Sequence, residues 1–245
     1  MNQAINQTGR ITLFCFPYAG GNLYSYREMT RSAPKEIKIV PIEYPGRLTR
    51  QNETLLFDIN DITADCIAQI QPHLRAPYAL YGHSMGAIVA WLVAQQALIQ
   101  GLPSPVHLFV SGRPGPSSPN NETNKHDLPR QAFFKSIREI GGSSEEIFED
   151  EALLDFIETQ MRADFKAIEE YKYQPVSPLN IPISVFVGKE EEISVEEAHK
   201  WKDETAEEFH LHLFEGNHFF IFSKGAEMMK IIYSRLLYHR CKTSY

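Results

Sequence analysis

Cysteine is scarce in this sequence of 245 residues, and its thiols are not spaced for a disulfide framework or a metal site. Cys15, Cys66 and Cys241 are odd in number and far apart, with no C-x-x-C pair, whereas disulfide scaffolds and zinc sites use even counts or close pairs. We therefore predict three reduced, structural thiols and no metal. Cys15 falls in a predicted buried strand, where a thiol acts as a small packing group, and this disfavours a catalytic cysteine.

Long apolar segments and clustered positive charge are also missing. Residues 1–10 are polar, and the apolar run Ile11–Phe16 is far too short for a signal-peptide core or a membrane span. We expect a cytoplasmic protein without a membrane partner. The net charge is −7 and no stripe is rich in Lys and Arg, so nucleic acid is not an expected partner, because phosphate binding needs a basic surface.

Short β-branched and aromatic runs alternate with longer segments of helical period, which indicates an α/β fold with a mostly parallel sheet and helices on both faces. Strands are predicted at Ile11–Phe16, Ile37–Tyr44, Tyr78–Gly82, His107–Ser111, Ile183–Gly188 and Phe209–Phe214. Helices are predicted at Leu23–Ser32, Ile59–Leu74, Met85–Gln100, Glu196–Thr205 and Lys224–Tyr238. The length and a hydrophobic content of 43% fit one large domain over residues 1–245.

Residues 113–175 break this alternation. Arg113–Asn124 is rich in Pro, Ser, Asn and Gly, which predicts a loop, and Leu128–Tyr173 then shows only helical patterns. A helical insertion of this length between two strands is typical of a lid over a site.

Charge is unevenly distributed along the chain. Residues 139–170 carry eleven acidic groups against two basic ones, whereas residues 1–50 carry seven basic groups against three acidic ones.

The motif G-x-S-x-G occurs at Gly82–Gly86, directly after a predicted strand and directly before a predicted helix. In this context it predicts the nucleophile elbow of an α/β-hydrolase fold, where glycines permit a tight strand-to-helix turn that exposes the serine. Ser84 is the candidate nucleophile. The N–H of Met85, at the helix N-terminus, is a candidate oxyanion donor. The glycine-rich loop after the first core strand should supply a second donor, at Ala19 or its neighbour.

A serine nucleophile needs a base, and in this fold the base is a histidine after the last strand. Only His218 among the nine histidines has that position. His83 lies inside the elbow and is expected to pack. His210 and His212 form an H-x-H pair, but they lack a third ligand for a metal ion.

The acid of the triad should follow the strand Ile183–Gly188, where it can orient the imidazole and stabilise its cation. The loop after this strand contains no aspartate but three consecutive glutamates. Glu191 is favoured as the acid, and Glu190 is its main rival.

Further phrases extend beyond the elbow along nearly the whole chain: Phe16–Gly21 (FPYAGG), Tyr44–Arg47 (YPGR), Ser111–Arg113 (SGR), Arg162–Phe165 (RADF) and Gly216–Phe220 (GNHFF). With these phrases the chain resembles the stand-alone type II thioesterases that accompany nonribosomal peptide and polyketide synthases. The resemblance implies hydrolysis of acyl groups from the phosphopantetheine thioester of acyl- or peptidyl-carrier proteins, without a cofactor. It implies a triad of Ser84, His218 and an acid that is usually aspartate three residues after the strand's glycine. Glu191 has that spacing, but counting back from Trp201 favours Glu190.

Because carrier proteins of this kind are commonly acidic, we interpret the basic excess of residues 1–50, with Arg27 and Arg31, as a docking face. Other functions of the same fold stay open: a medium-chain fatty acyl thioesterase, and a small-molecule esterase or acyltransferase. A non-catalytic ligand-binding protein is the alternative of a different class, and the missing aspartate is its only support.

Overall fold

The computed structural model describes residues 10–74, 77–119, 124–141 and 151–242. Six parallel strands form one sheet in the order β2-β1-β3-β4-β5-β6. They are β1 (Ile11–Phe16), β2 (Ile37–Pro41), β3 (Tyr78–His83), β4 (Leu108–Ser111), β5 (Ile183–Gly188) and β6 (Phe209–Phe214). The carboxyl ends of all six strands therefore meet at one edge, and the strand order reverses at β1 and β3, which is where open parallel sheets form a binding crevice.

Helices cover both faces of the sheet, as parallel strands buried on both sides require. They are α1 (Arg27–Ser32), α2 (Ile59–Ile70), α3 (Met85–Ile99), α4 (Arg130–Ile140), α5 (Glu151–Glu169), α6 (Val195–His199) and α7 (Phe220–Lys242). Successive side chains of β1 point alternately to the two layers of helices. Phe14 and Phe16 pack with the apolar side chains of α2 and α3, whereas Leu13 and Cys15 pack with those of α1 and α7.

All six predicted strands are confirmed. Most differences lie at element ends, but the predicted helix Glu196–Thr205 is α-helical only to His199 and continues as a 3-10 helix over Lys200–Glu204. Strand β2 stops at Pro41 instead of Tyr44, because its neighbour β1 ends at Phe16. The first helix begins at Arg27, after a series of turns, and not at Leu23. The last helix begins at Phe220 and not at Lys224, and its first two residues, Phe220 and Ile221, are buried.

The described residues between β4 and β5 contain α4 and α5 and no strand, as the helical patterns predicted. The part of that prediction at 142–150 falls outside the described residues. Helices α4 and α5 share an apolar cluster of their own: Phe133, Phe134, Ile137, Leu154, Met161 and Phe165. Ala19, in the loop after β1, packs against this cluster, so the two helices cover the carboxyl edge of the sheet. No described helix is long and apolar enough to span a bilayer.

Candidate active site

The strand-to-helix turn at Ser84 is as tight as its sequence predicts. Ser84 has φ 55° and ψ −120°, one of the two positive φ values at described non-glycine residues. A Cβ at Gly82 would lie 1.9 Å from the carbonyl oxygen of Gly86, and a Cβ at Gly86 would lie 2.0 Å from that of Phe16. No side chain fits at either position, so the motif needs both glycines. Such a strained elbow holds the serine side chain at the strand end.

Ser84 lines a cavity of about 1300 Å³ that lies between the carboxyl edge of the sheet and the helices α4 and α5. Its polar wall carries Ser84, Glu191 and His218, which come from three separate loops at the sheet edge. Its apolar wall comes mainly from the helices and includes Ile137, Ile140, Phe156, Ile157, Met161 and Phe165. The arrangement suits a ligand with a reactive polar group at one end and an apolar chain at the other.

His218 lies in the loop between β6 and α7, and its ring contacts a buried carboxylate. Nδ1 of His218 is 3.2 Å from Oε2 of Glu191, whose side chain is only 2% exposed. The other oxygen of Glu191 accepts a hydrogen bond of 2.8 Å from the N–H of Gly188, within its own tight turn. The side chain of Glu190 is exposed. The geometry therefore favours Glu191 over Glu190 as the partner of the imidazole.

The Ser84 hydroxyl and the His218 imidazole face the same cavity, but no hydrogen bond joins them in the described part of the chain. Catalytic hydrogen bonds of this kind are often long in ligand-free enzymes and shorten when substrate binds.

Ala19 and Met85 line the same cavity as Ser84, and their backbone N–H groups have no intramolecular acceptor among the described residues. The next two in the loop after β1 are already engaged. The N–H of Gly20 donates to Oδ2 of Asp164 at 2.7 Å, and that of Gly21 donates to the carbonyl of Tyr18 at 2.7 Å. Among the described residues, neither glycine N–H is therefore available to an oxyanion, whereas those of Ala19 and its neighbour Tyr18 are, and Ala19 stays the predicted loop donor.

A buried ion pair that sequence reasoning did not find fixes this loop. Asp164 of α5 is 1% exposed and Arg47 is 3% exposed; Nη2 of Arg47 donates to Oδ1 of Asp164, while Gly20 donates to the other oxygen. Nη1 of Arg47 donates to the carbonyl of Pro45 at 2.9 Å. Both residues occur in phrases that carry the family resemblance. They are 117 positions apart in the sequence, and only the fold brings them into contact.

Replacing Asp164 by alanine is expected to lower the free energy of unfolding by about 3–5 kcal/mol, because it leaves the buried Arg47 guanidinium without a countercharge. Urea denaturation of the wild type and D164A measures this loss. The matched control is D155A on the same helix, whose carboxylate pairs with Arg130 at the surface with 68% of its side chain exposed. Its effect should be small. Equal midpoints for D164A and D155A would contradict the assignment.

The basic surface near the N-terminus is smaller than the charge count suggested. Three of its arginines pair with carboxylates: Arg31 with Glu28, Arg47 with Asp164, and Arg50 with Asp65 and Glu53. Much of the counted positive charge is therefore neutralised within the molecule, and a docking face built on it is correspondingly weaker.

The thiols with described side chains, Cys15 and Cys66, are buried and unpaired. Burial raises the pKa of both thiols, so they stay protonated and unreactive. The side chain of Cys241 lies outside the described part. In the described ranges, no group of three or more His, Cys, Asp or Glu side chains is arranged to hold a metal ion.

The chain is similar to named proteins over nearly its whole length. A family model described as a thioesterase domain matches residues 11–236. The gramicidin S biosynthesis protein GrsT of Aneurinibacillus migulanus is 32% identical over 237 residues, which are 96% of this chain and 93% of the relative.

Two solved structures share the fold. The RedJ thioesterase from the prodiginine biosynthetic pathway in Streptomyces coelicolor has a TM-score of 0.84 at 32% identity, over 90% of this chain and 89% of its own. The type II thioesterase BorB from the borrelidin biosynthetic cluster has a TM-score of 0.86 at 29% identity, over 96% of each chain.

Proposed function

The chain belongs to the thioesterase family, and we propose that it hydrolyses the thioester between an acyl group and the phosphopantetheine arm of a carrier protein. The observation that carries the proposal is the contact of 3.2 Å between His218 and the buried Glu191, at the wall of the cavity that Ser84 lines. A buried carboxylate beside an imidazole, next to a serine on a strained elbow, is the arrangement that activates a hydroxyl for acyl transfer.

Two further observations support a carrier-bound substrate. One relative is named as a gramicidin S biosynthesis protein, and one similar solved structure is a type II thioesterase from the borrelidin biosynthetic cluster. The cavity of about 1300 Å³ also exceeds the usual size of small-ligand pockets, roughly 300–1,000 Å³. It has room for an acyl chain together with a pantetheine arm. Housekeeping of a nonribosomal peptide or polyketide synthase, in the cytoplasm, is the role we propose.

In the first half-reaction, the Ser84 oxygen attacks the thioester carbonyl carbon while Nε2 of His218 takes the hydroxyl proton. The N–H groups of Ala19 and Met85 donate to the oxyanion of the tetrahedral intermediate. Glu191 accepts a hydrogen bond from Nδ1–H and stabilises the imidazolium. The carbon–sulfur bond then breaks, and the departing thiol takes the proton from His218.

In the second half-reaction, His218 removes a proton from water, which attacks the acyl-Ser84 ester. The same two N–H groups hold the second oxyanion, and the collapse of the intermediate returns the proton to Ser84 and releases the free acid. We assign residues 113–175 the role of a lid over this site, because α4 and α5 supply the apolar wall that encloses the acyl chain.

Turnover on an acyl-loaded carrier should exceed turnover on the same acyl group carried by a small thioester by at least about tenfold in kcat/KM, the effect of about 1.4 kcal/mol of extra binding. The measurement is a steady-state comparison of acyl carriers of increasing chain length with matched N-acetylcysteamine thioesters and p-nitrophenyl esters. Higher kcat/KM on the p-nitrophenyl esters would identify an esterase. Transfer of the acyl group to an added alcohol or amine, instead of water, would identify an acyltransferase.

A further inference from the structure

A second histidine, His83, lies against the ring of His218. It occupies the position before Ser84 in the elbow and is fully buried, with 0% exposure. Its ring centroid is 4.7 Å from that of His218, and the two rings are tilted by 42°. Phe219 and Tyr18 pack around the same ring, with centroids at 5.7 Å and 5.8 Å. His83 thus forms a wall against which the imidazole of His218 rests.

His83 is itself held by a short chain of hydrogen bonds that leads into the sheet. Its Nδ1 is 2.9 Å from the hydroxyl of Ser111 at the end of β4, and this hydroxyl is 2.7 Å from that of Tyr81 in β3. All three side chains are fully buried. Both strands belong to the sheet, so these hydrogen bonds hold the ring of His83 in place. The ring of His83 in turn limits where the ring of His218 can lie.

The residue after Ser111 leaves room for both rings. Gly112 has φ +60°, and a Cβ at this position would lie 2.3 Å from Cε1 of His83 and 3.1 Å from Cε1 of His218. Any side chain there would push the two rings out of place. The first two residues of the SGR phrase, Ser111 and Gly112, are therefore explained by the packing of the two imidazoles.

His83 also stays uncharged beside a residue that must become charged. Burial, and to a lesser extent the neighbouring His218, lower the pKa of His83 well below its ordinary value. A protonated His83 would repel the imidazolium that forms on His218 in each half-reaction. A neutral ring supports the imidazole mechanically without opposing its charge.

We propose that His83 is a positioning residue that fixes the ring plane of His218 by direct packing, with Ser111 and Tyr81 as its anchor. The inference rests on the proposed function, because it assumes that His218 is the base for Ser84. It explains why the elbow carries a polar aromatic ring in a fully buried position.

Two replacements separate ring packing from hydrogen bonding. H83N keeps a polar atom near Ser111 but removes the ring that contacts His218, whereas H83F keeps a ring but loses the hydrogen bond. The matched control is H107N. His107 is buried directly before β4, forms a hydrogen bond of 2.9 Å with the hydroxyl of Ser184 and stacks on Phe109 with ring centroids 4.1 Å apart. It is the same kind of buried histidine–serine pair, placed away from the cavity.

We expect H83N to lower kcat by roughly ten- to a hundredfold, the cost of a misplaced catalytic group, with KM unchanged. H83F should retain more of kcat than H83N, and H107N should keep the wild-type kcat. Higher kcat for H83N than for H83F, wild-type kcat for both, or an equal loss in H107N would each overturn the proposal. Thermal melts identify the folded variants.

S111A keeps the test decisive if the His83 variants do not fold, because it removes the anchor without changing the volume of the ring. It should lower kcat in the same direction, by less than H83N, again with KM unchanged; wild-type kcat would overturn the proposal. Labelling of Ser84 by a fluorophosphonate in the wild type distinguishes a failure of the proposed function from a failure of the inference about His83. If the wild type is neither labelled nor active, the proposed function fails. If the wild type is labelled and active and the variants have the same kcat, only the inference about His83 fails.

Discussion

An S84A variant is expected to lose thioester hydrolysis by roughly 10³- to 10⁶-fold in kcat, the range seen when the nucleophile of a serine hydrolase is removed. The reason is that no other described nucleophile occupies the strained turn at the end of β3. Steady-state release of free acid from an acyl-loaded carrier measures the loss. Because the change removes only a half-buried hydroxyl, the melting temperature should stay close to that of the wild type.

S136A is the matched control for this variant. Ser136 also lines the cavity, but it lies on α4 and its hydroxyl donates to the carbonyl of Phe133 at 2.7 Å. It should therefore retain wild-type kcat. Hydrolysis by S84A at a rate near that of S136A would show that the elbow serine is not the nucleophile.

The second large effect is expected at the triad acid. E191Q should lower kcat by roughly 10³- to 10⁴-fold, because an amide can hold His218 in the wrong tautomer and cannot stabilise its cation. E190Q is the natural control, since it makes the same chemical change one residue earlier, on an exposed side chain at the same cavity. It should leave kcat unchanged. The reverse ranking of the two variants would transfer the role of the acid to Glu190.

This pair of glutamates also shows where sequence reasoning stops. The loop after β5 predicts an acid, but the choice between neighbouring residues depends on one tight turn, in which the N–H of Glu191 donates to the carbonyl of Gly188 at 3.1 Å. That bond and the contact of 2.8 Å from the N–H of Gly188 aim the Glu191 carboxylate inward. Counting residues from either side cannot reveal the register of such a turn.

The elbow, in contrast, could be predicted fully because its cause is local. Gly82, Ser84 and Gly86 lie within five positions, and the clashes that require the glycines involve the turn itself and the neighbouring β1. The four central strands could be predicted equally well, since burial on both faces of a parallel sheet leaves mostly apolar runs. Both features depend on short stretches of sequence.

The network that holds the oxyanion loop could not be predicted in this way. It joins Gly20, Arg47 and Asp164 across separations of 117 and 144 residues, and each residue alone resembles an ordinary turn or surface position. The role of His83 is similar, because a buried ring inside the elbow is visible only when Ser111 and His218 are placed around it. Contacts of these kinds, between residues far apart in the sequence, can be identified only in the folded structure.

The most direct test of the account is to locate the acyl group during turnover. An acyl-loaded carrier is mixed with the wild-type protein, the reaction is stopped with acid within the first turnover, and the digested protein is analysed by mass spectrometry. If Ser84 is the nucleophile, a transient acyl group appears on the peptide that contains Ser84 and disappears as free acid forms. Free acid that forms with no acylated peptide at any time, and at the same rate in S84A, would contradict it.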